Sequence, residues 1–310
     1  VHHLRKACSI VTSDVVAPGS RRGPGRSRAG ERKHSGSREL LLNLTMREVR
    51  SQFKRTALGR LWSFINPLAT IAIYSIVFGF ILRSPIEPGV NSGIHLFAFF
   101  LATALIPWSF MSGAIMAGMG SIVGNSGLLT KVYFPRVILP VSTILAMTVT
   151  FAIELSLLTA IMAVVGGPEV LLFLPGLIAM MALTVIFCIG IALMLSIAMV
   201  YFRDTQHFMN IFIQLWFYAT PIIYAPTLIV QLQETVRNDG WTLFGEPFPL
   251  FMLYNLNPST RITGAFRSML YDFQWPSWQD WAVVTVWAGA VLGLGLLVFR
   301  RFSARVVEEL

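Results

Sequence analysis

The stretch VLLFLPGLIAMMALTVIFCIGIALMLSIAMVYF, Val170–Phe202, runs for 33 residues without a charged side chain, and Arg203 and Asp204 follow at once. About 20 apolar residues in a helix cross a hydrocarbon core of about 30 Å, so this stretch reads as a membrane-spanning helix. Five further apolar runs take the same reading: Leu61–Leu82, Ile94–Val123, Val137–Val165, Phe208–Tyr224 and Trp281–Phe299. Phe208–Tyr224 is short unless it continues through Pro226 toward Val230. The expected fold is an all-α integral membrane protein with six transmembrane helices per subunit. Composition agrees, because 13% of the 310 residues are charged and 55% are hydrophobic, against about 25% charged in soluble domains.

A net charge of +9 would suit nucleic acid, but its placement suits a membrane. With the N-terminus in the cytoplasm and six alternating helices, 20 of the 24 Lys and Arg residues fall inside. Only Arg83, Arg237, Arg261 and Arg267 fall outside. The positive-inside rule therefore places both termini in the cytoplasm, with no nucleic-acid partner. Cys8 and Cys188 offer no disulfide pairing and no metal spacing. No G-x-x-x-x-G-K-[ST] loop occurs, and Lys131 is the only lysine beyond Lys54. No catalytic residue and no metal site are expected, and any energy must come from another subunit.

Residues 1–38, rich in Gly, Ser, Pro and Arg, read as a disordered basic cytoplasmic tail, without a specific role or in contact with anionic headgroups. Residues 39–59 read as an amphipathic helix. Leu42, Met46, Val49, Phe53 and Ala57 share one face, and Arg47, Arg50 and Lys54 form a basic stripe. Such a helix lies in the interface or packs on a partner protein. Residues 60–302 are the six-helix domain and 303–310 a cytoplasmic C-terminus. Pro67, Pro107, Pro140, Pro175 and Pro221 mark expected bends. In the external segment, about 227–280, the short apolar stretches Pro247–Leu256 and Ile262–Leu270 either dip into the outer leaflet or form a folded cap. Glu154 is an acid well inside a span. It must pair, protonate or face water, and both a structural and a functional role stay open.

Two short cytoplasmic loops carry the most specific signal. The first, Gly124 to Pro140, contains Leu-Leu-Thr-Lys-Val-Tyr-Phe-Pro-Arg over residues 128–136. Its apolar residues, expected to be exposed, suit a short helix in a partner's groove. The second holds Arg203-Asp204. With Leu61-Trp62, Asn66-Pro67-Leu68, Pro221-Ile-Ile-Tyr224, Asn257-Pro258 and Phe266-Arg267, the chain resembles the permease subunits of type-2 ATP-binding-cassette exporters of polysaccharides. That family moves O-antigen, teichoic acid or cell-wall galactan. The likeness covers about Leu40 to Phe302, and the basic tail departs from it.

The resemblance implies a non-enzymatic permease subunit in the bacterial inner membrane, serving cell-envelope biogenesis. It forms a homodimer with two copies of a cytoplasmic ATPase, which binds the ATP and Mg; this chain holds no cofactor. The coupling helix, about 125–136, would engage the ATPase through Gly127, Leu128, Leu129, Lys131, Tyr133, Phe134, Pro135 and Arg136. The cargo is a polyprenyl-diphosphate-linked glycan. Aromatic faces hold sugars by stacking, so Phe208, Phe212, Trp216, Tyr218 and Tyr224, with Tyr74 and Phe78, are candidate channel-lining residues. Packing or interfacial belts account for aromatic rows equally well, and Trp62 and Trp108 read as belt or packing residues. Lys54, Arg55 and Arg60 are candidates for the diphosphate or lipid headgroup, although positive-inside anchoring explains them too. The alternatives are a type-2 exporter of small hydrophobic molecules or lipids, and a membrane enzyme of polyprenyl-linked sugars.

Overall fold

The computed structural model describes residues 28–51, 62–82, 86–129, 134–238, 242–243, 246–247 and 250–303. The chain divides into two compact units, Val1–Gly36 and Ser37–Leu310. Residues 28–36 of the first are helical, and every membrane-length helix lies in the second. In order, the helices are α1 (Arg28–Ser51), α2 (Trp62–Tyr74, continued as a π-helix over Ser75–Ile81), α3 (Phe97–Gly124), α4 (Ser126–Leu129) and α5 (Ile138–Val165). A 3-10 turn over Pro168–Phe173 leads into α6 (Leu174–Tyr201), followed by α7 (Thr205–Tyr218) and α8 (Thr227–Asn238). After a minimal antiparallel pairing of β1 (Thr242–Leu243) with β2 (Glu246–Pro247) come α9 (Leu250–Leu256), α10 (Pro258–Leu270) and α11 (Trp278–Phe302).

Among the described residues four helices are long and apolar enough to cross a membrane: α3, α5, α6 with its lead-in, and α11. The first and fifth runs behave differently. In α2 the described apolar stretch is Leu68–Ile81. Its irregularity comes at the π-helix, not at Pro67, through which the helix continues. The fifth run does not extend through Pro226, because α7 stops at Tyr218 and a turn over 220–224 separates it from α8. Of the other prolines only Pro107 lies deep inside a helix. Pro175 sits in the first turn of α6 and Pro140 near the start of α5, where a missing N–H costs least.

The core is built around α3, which packs against α2, α5, α6, α7 and α10. Glycines set the closest approach elsewhere. A Cβ on Gly190 of α6 would sit 2.6 Å from the backbone of Val291, and one on Gly295 of α11 would sit within 2.4 Å of the Gly190 carbonyl. Helices in lipid gain from such contact through dispersion rather than hydrophobic burial. Many buried hydroxyls of α3, α5 and α6 are met locally. Thr103, Ser121, Ser142, Thr143, Thr159, Thr184 and Ser196 each donate to a carbonyl three or four residues back, as membrane helices require of polar groups.

A second cluster closes one end of the bundle, here called the α4 end. Leu44 of α1 joins Ile122, Leu129, Phe134, Ile138, Ile197, Val200 and Phe299. Helix α1 begins at Arg28, inside the stretch expected to be a disordered tail. Leu44 and Val49 are buried and Leu40 and Leu41 pack against the same cluster, while Leu42 and Met46 are exposed. The run Leu40–Leu44 supplies two apolar faces, and the bundle takes only one of them. Phe53 and Ala57 lie outside the described residues.

The glycine contact makes a direct prediction. Gly190→Val forces α6 from α11 and should cost roughly 1–3 kcal/mol, read as earlier thermal loss of the monodisperse peak in detergent. Gly289→Ala, with nothing within 4 Å, should leave that loss unchanged or delay it.

Candidate functional site

Helix α7 has 14 residues, about 21 Å at 1.5 Å per residue, and its surface is chemically divided. Met209 is buried, and Ile213, Trp216 and Phe217 pack partly against the bundle. Phe208 and Phe212 are 66% and 42% exposed, with their rings stacked at 6.2 Å. On the other flank Gln206, Asn210 and Gln214, spaced four apart, are all exposed. The aromatic row was legible in the sequence. The amide row was missed, although its spacing of four was there to be counted.

The expected aromatic set divides in the structure. Trp216 turns from the exposed row into the bundle, edge-on to Trp108 at 5.6 Å and to Phe187 at 6.4 Å. Trp108 is itself buried, so its role is packing. Phe217, absent from the expected set, joins α7 to α2 by stacking on Tyr74 at 6.3 Å. Tyr74 also meets Phe78 at 5.9 Å. Tyr218 is exposed, and Tyr224 donates its hydroxyl to the Tyr218 carbonyl at 3.0 Å.

Beyond Tyr218 the chain reverses, and α10 supplies the partners it needs. Asn257 Oδ1 accepts from Trp216 Nε1 at 2.8 Å and from Ser259 N at 3.1 Å, capping α10. Its Nδ2 donates to Ala219 O and to Thr220 Oγ1, both at 3.3 Å. Arg267 donates to Ile222 O at 3.2 Å and lies over the Phe100 ring at 3.8 Å. Counted in the sequence as a charge outside the membrane, Arg267 is buried at 5% exposure. Burial pushes its guanidinium down to about 10, so it stays charged at neutral pH. Arg261 pairs with Asp280 at 2.6 Å.

At the α4 end the coupling candidates fall into three groups. Gly127 and Pro135 are exposed, and Leu128 and Arg136 are half-buried. Leu129 and Phe134, expected to be exposed, are 9% and 8% exposed, because Leu44 and the ends of α3, α5 and α6 enclose them. Lys131 and Tyr133 lie outside the described residues, as do Lys54, Arg55 and Arg60. Arg47 of α1 donates to Asn125 Oδ1 at 2.7 Å, tying α1 to the residue that ends α3. Glu154 is half-buried. It lies in a groove of about 220 Å3 among apolar residues that include Leu68, Phe99 and Ile161.

Residues 39–236 match the family described as ABC-2 type transporter. The chain belongs to that family. This ABC-2 transporter chain is similar to the O-antigen export system permease protein RfbA of Myxococcus xanthus, 28% identical over 260 residues, 82% of this chain and 90% of that protein. It is similar to RfbA of Klebsiella pneumoniae, 30% identical over 191 residues, 62% of this chain and 71% of that protein. The polysialic acid transport protein KpsM of Escherichia coli is 32% identical over 103 residues, 33% of this chain and 36% of that protein. The family match takes in α7 and the coupling candidates but stops before α9 and α10, so the clamp on the α7 end lies beyond it.

Asn257 is the test of that clamp. Asn257→Ala should cost about 2–3 kcal/mol, through the lost cap and the unpaired groups left behind, read in thermal unfolding with a change in tryptophan emission. Asn257→Asp keeps the acceptor for Trp216 and Ser259 and should fall between.

Proposed function

We propose that this chain is the membrane permease of an ATP-driven exporter of a polyprenyl-diphosphate-linked polysaccharide. The observation that carries this reading is the exposed surface of α7. Gln206, Asn210 and Gln214 are poorly suited to lipid, since an unpaired amide in hydrocarbon costs several kcal/mol. With Phe208 and Phe212 on the other flank of the same helix they suit a sugar polymer, with amides meeting hydroxyls and rings meeting C–H faces. The printed names of the RfbA and KpsM relatives, which concern O-antigen export and polysialic acid transport, support the same cargo class.

In the full reading six segments cross the membrane. α2 with its π-helix, and α7 with the turn behind it, supplement the four long helices. Both termini are cytoplasmic and the α10 end faces outward, where α9 and α10 cap the channel. Two copies line that channel with α7 and α2. The ATP and Mg belong to a separate ATPase, which docks at the α4 end against Gly127, Leu128, Pro135 and Arg136, with Lys131 and Tyr133 between them. Leu129 and Phe134 form the seat of that coupling segment rather than its contact face. Lys54, Arg55 and Arg60 receive the diphosphate at the cytoplasmic side.

Two measurements test this. Asn210→Leu with Gln214→Leu makes α7 more lipid-like. If the amides line a channel, surface glycan should fall several-fold while lipid-linked glycan accumulates inside and membrane insertion holds; unchanged export would return α7 to the lipid. Leu128→Asp, at a half-buried position, should sharply reduce co-purification of the ATPase, and full recovery of the complex would remove α4 from the docking surface.

A further inference from the structure

Past the Gly190–Gly295 contact, α6 and α11 carry full-sized side chains, and an open groove of about 370 Å3 lies between them at the α4 end. Its walls include Ile197, Ala198, Tyr201 and Phe202 on one side and Val298 and Phe302 on the other. From Met194 to Phe202 it follows about 12 Å of helix, most of the roughly 15 Å depth of one leaflet. The wall is apolar except at one point. Among the described residues the Tyr201 hydroxyl, which is buried, has no hydrogen-bond partner, and its ring is held edge-on to Phe302 at 6.4 Å. A buried hydroxyl without a partner is costly, which makes this wall a place for an acceptor.

Two cations adjoin the lining residues along the chain. Arg203 follows Phe202 directly and is exposed. Arg301 is also exposed and lies one helical turn beyond Val298, beside Phe302. Among the described residues neither belongs to an ion pair; the pair that is present, Arg261–Asp280, sits at the α10 end. Two other apolar grooves lack this combination. The one between α3 and α5 contains the acid Glu154. In the one between α5 and α6, the Ser156 and Thr159 hydroxyls already donate to their own helix.

We propose that the α6–α11 groove is a binding site for an anionic phospholipid. One acyl chain fills the groove, the phosphate lies on Arg203 and Arg301, and Tyr201, about one half-turn deeper, donates to an ester oxygen. Basic pockets between membrane helices bind acidic headgroups in this manner. Ile197 belongs both to this wall and to the cluster that seats Leu129 and Phe134, so the bound chain braces the α4 end. The site depends on the membrane-spanning fold alone and stands whatever the exporter carries.

The test is native mass spectrometry of the full-length chain in mild detergent, with phosphatidylglycerol and phosphatidylcholine of matched chains added in turn. Phosphatidylglycerol should be retained preferentially. Arg203→Gln with Arg301→Gln should lower its retention about fivefold for each arginine removed, leaving phosphatidylcholine unaffected, and Tyr201→Phe should lower it less. If the double variant does not yield folded protein, salt titration of the unaltered chain decides, because phosphatidylglycerol alone should be released. Equal retention of both lipids, or a preference that survives the double substitution, overturns the site. Displacement of phosphatidylglycerol by equimolar polyprenyl phosphate, dependent on the same arginines, would reassign the groove to a cargo lipid and overturn it as well.

Discussion

A helix that stops at Tyr218 inside an apolar region leaves carbonyls and amides that nothing in hydrocarbon can satisfy, and the α10 end of this protein is arranged around that demand. Asn257 and Arg267 answer it from one helix, at Ala219, Thr220 and Ile222. Their own helix must then be held in place. Arg267 rests on Phe100 of α3, Arg261 is tied to Asp280 at the start of α11, and the segment after α10 is laced to the loop before α3. Asn91 donates to Asp272 O at 3.0 Å and to Phe273 O at 2.9 Å, and Tyr271 donates to Glu87 O at 3.1 Å. Burial raises the Asp272 carboxyl above its ordinary range, and the bonds of this lacing named here run to backbone carbonyls.

The same economy explains three of the short sequence signatures. Pro221-Ile-Ile-Tyr224 and the Asn257-Pro258 and Phe266-Arg267 pairs lie far apart in the chain but form one structure. Asn257 caps α10 while Pro258 occupies its first turn, where a missing N–H removes no helical bond. Phe266 is buried against Phe151 at 5.9 Å while its neighbour Arg267 reaches Ile222. Each signature is weak alone because each is half of a contact.

The long spans were legible because length and apolarity suffice for them: Ile94–Val123, Val137–Val165, Val170–Phe202 and Trp281–Phe299 became α3, α5, α6 and α11. The first and fifth runs were not, since where a helix changes to a π-helix, as at Ser75, or ends, as at Tyr218, depends on partners from distant segments. Leu129 and Phe134 were misjudged for the same reason. A short apolar segment reads as exposed until the cover over it is known, and the cover includes Leu44 of α1. Arg267 shows the opposite case: it counts in the sequence among the four charges outside the membrane, and its burial over Phe100 has no local signal. Local patterns report which face of a helix is apolar, whereas burial of a single cation or a single turn is set by tertiary contact.

Helix α3 connects these two ends. At one end Asn125 receives Arg47 of α1 and Ile122 packs beside Leu129. Toward the other, Phe100 lies beneath Arg267 and Trp108 meets Trp216 of α7. With 28 residues it is about 42 Å long and buried along most of its length. Pro107 is its one interruption among the described residues, and it lies next to Trp108, where the exposed aromatic row of α7 is anchored. A push delivered through α4 would therefore reach α7 at the ring contact between two tryptophans, and reach the chain reversal through Phe100. Force applied at one face of the membrane would thus act on the surface of α7 and on the cap beyond it through a single helix.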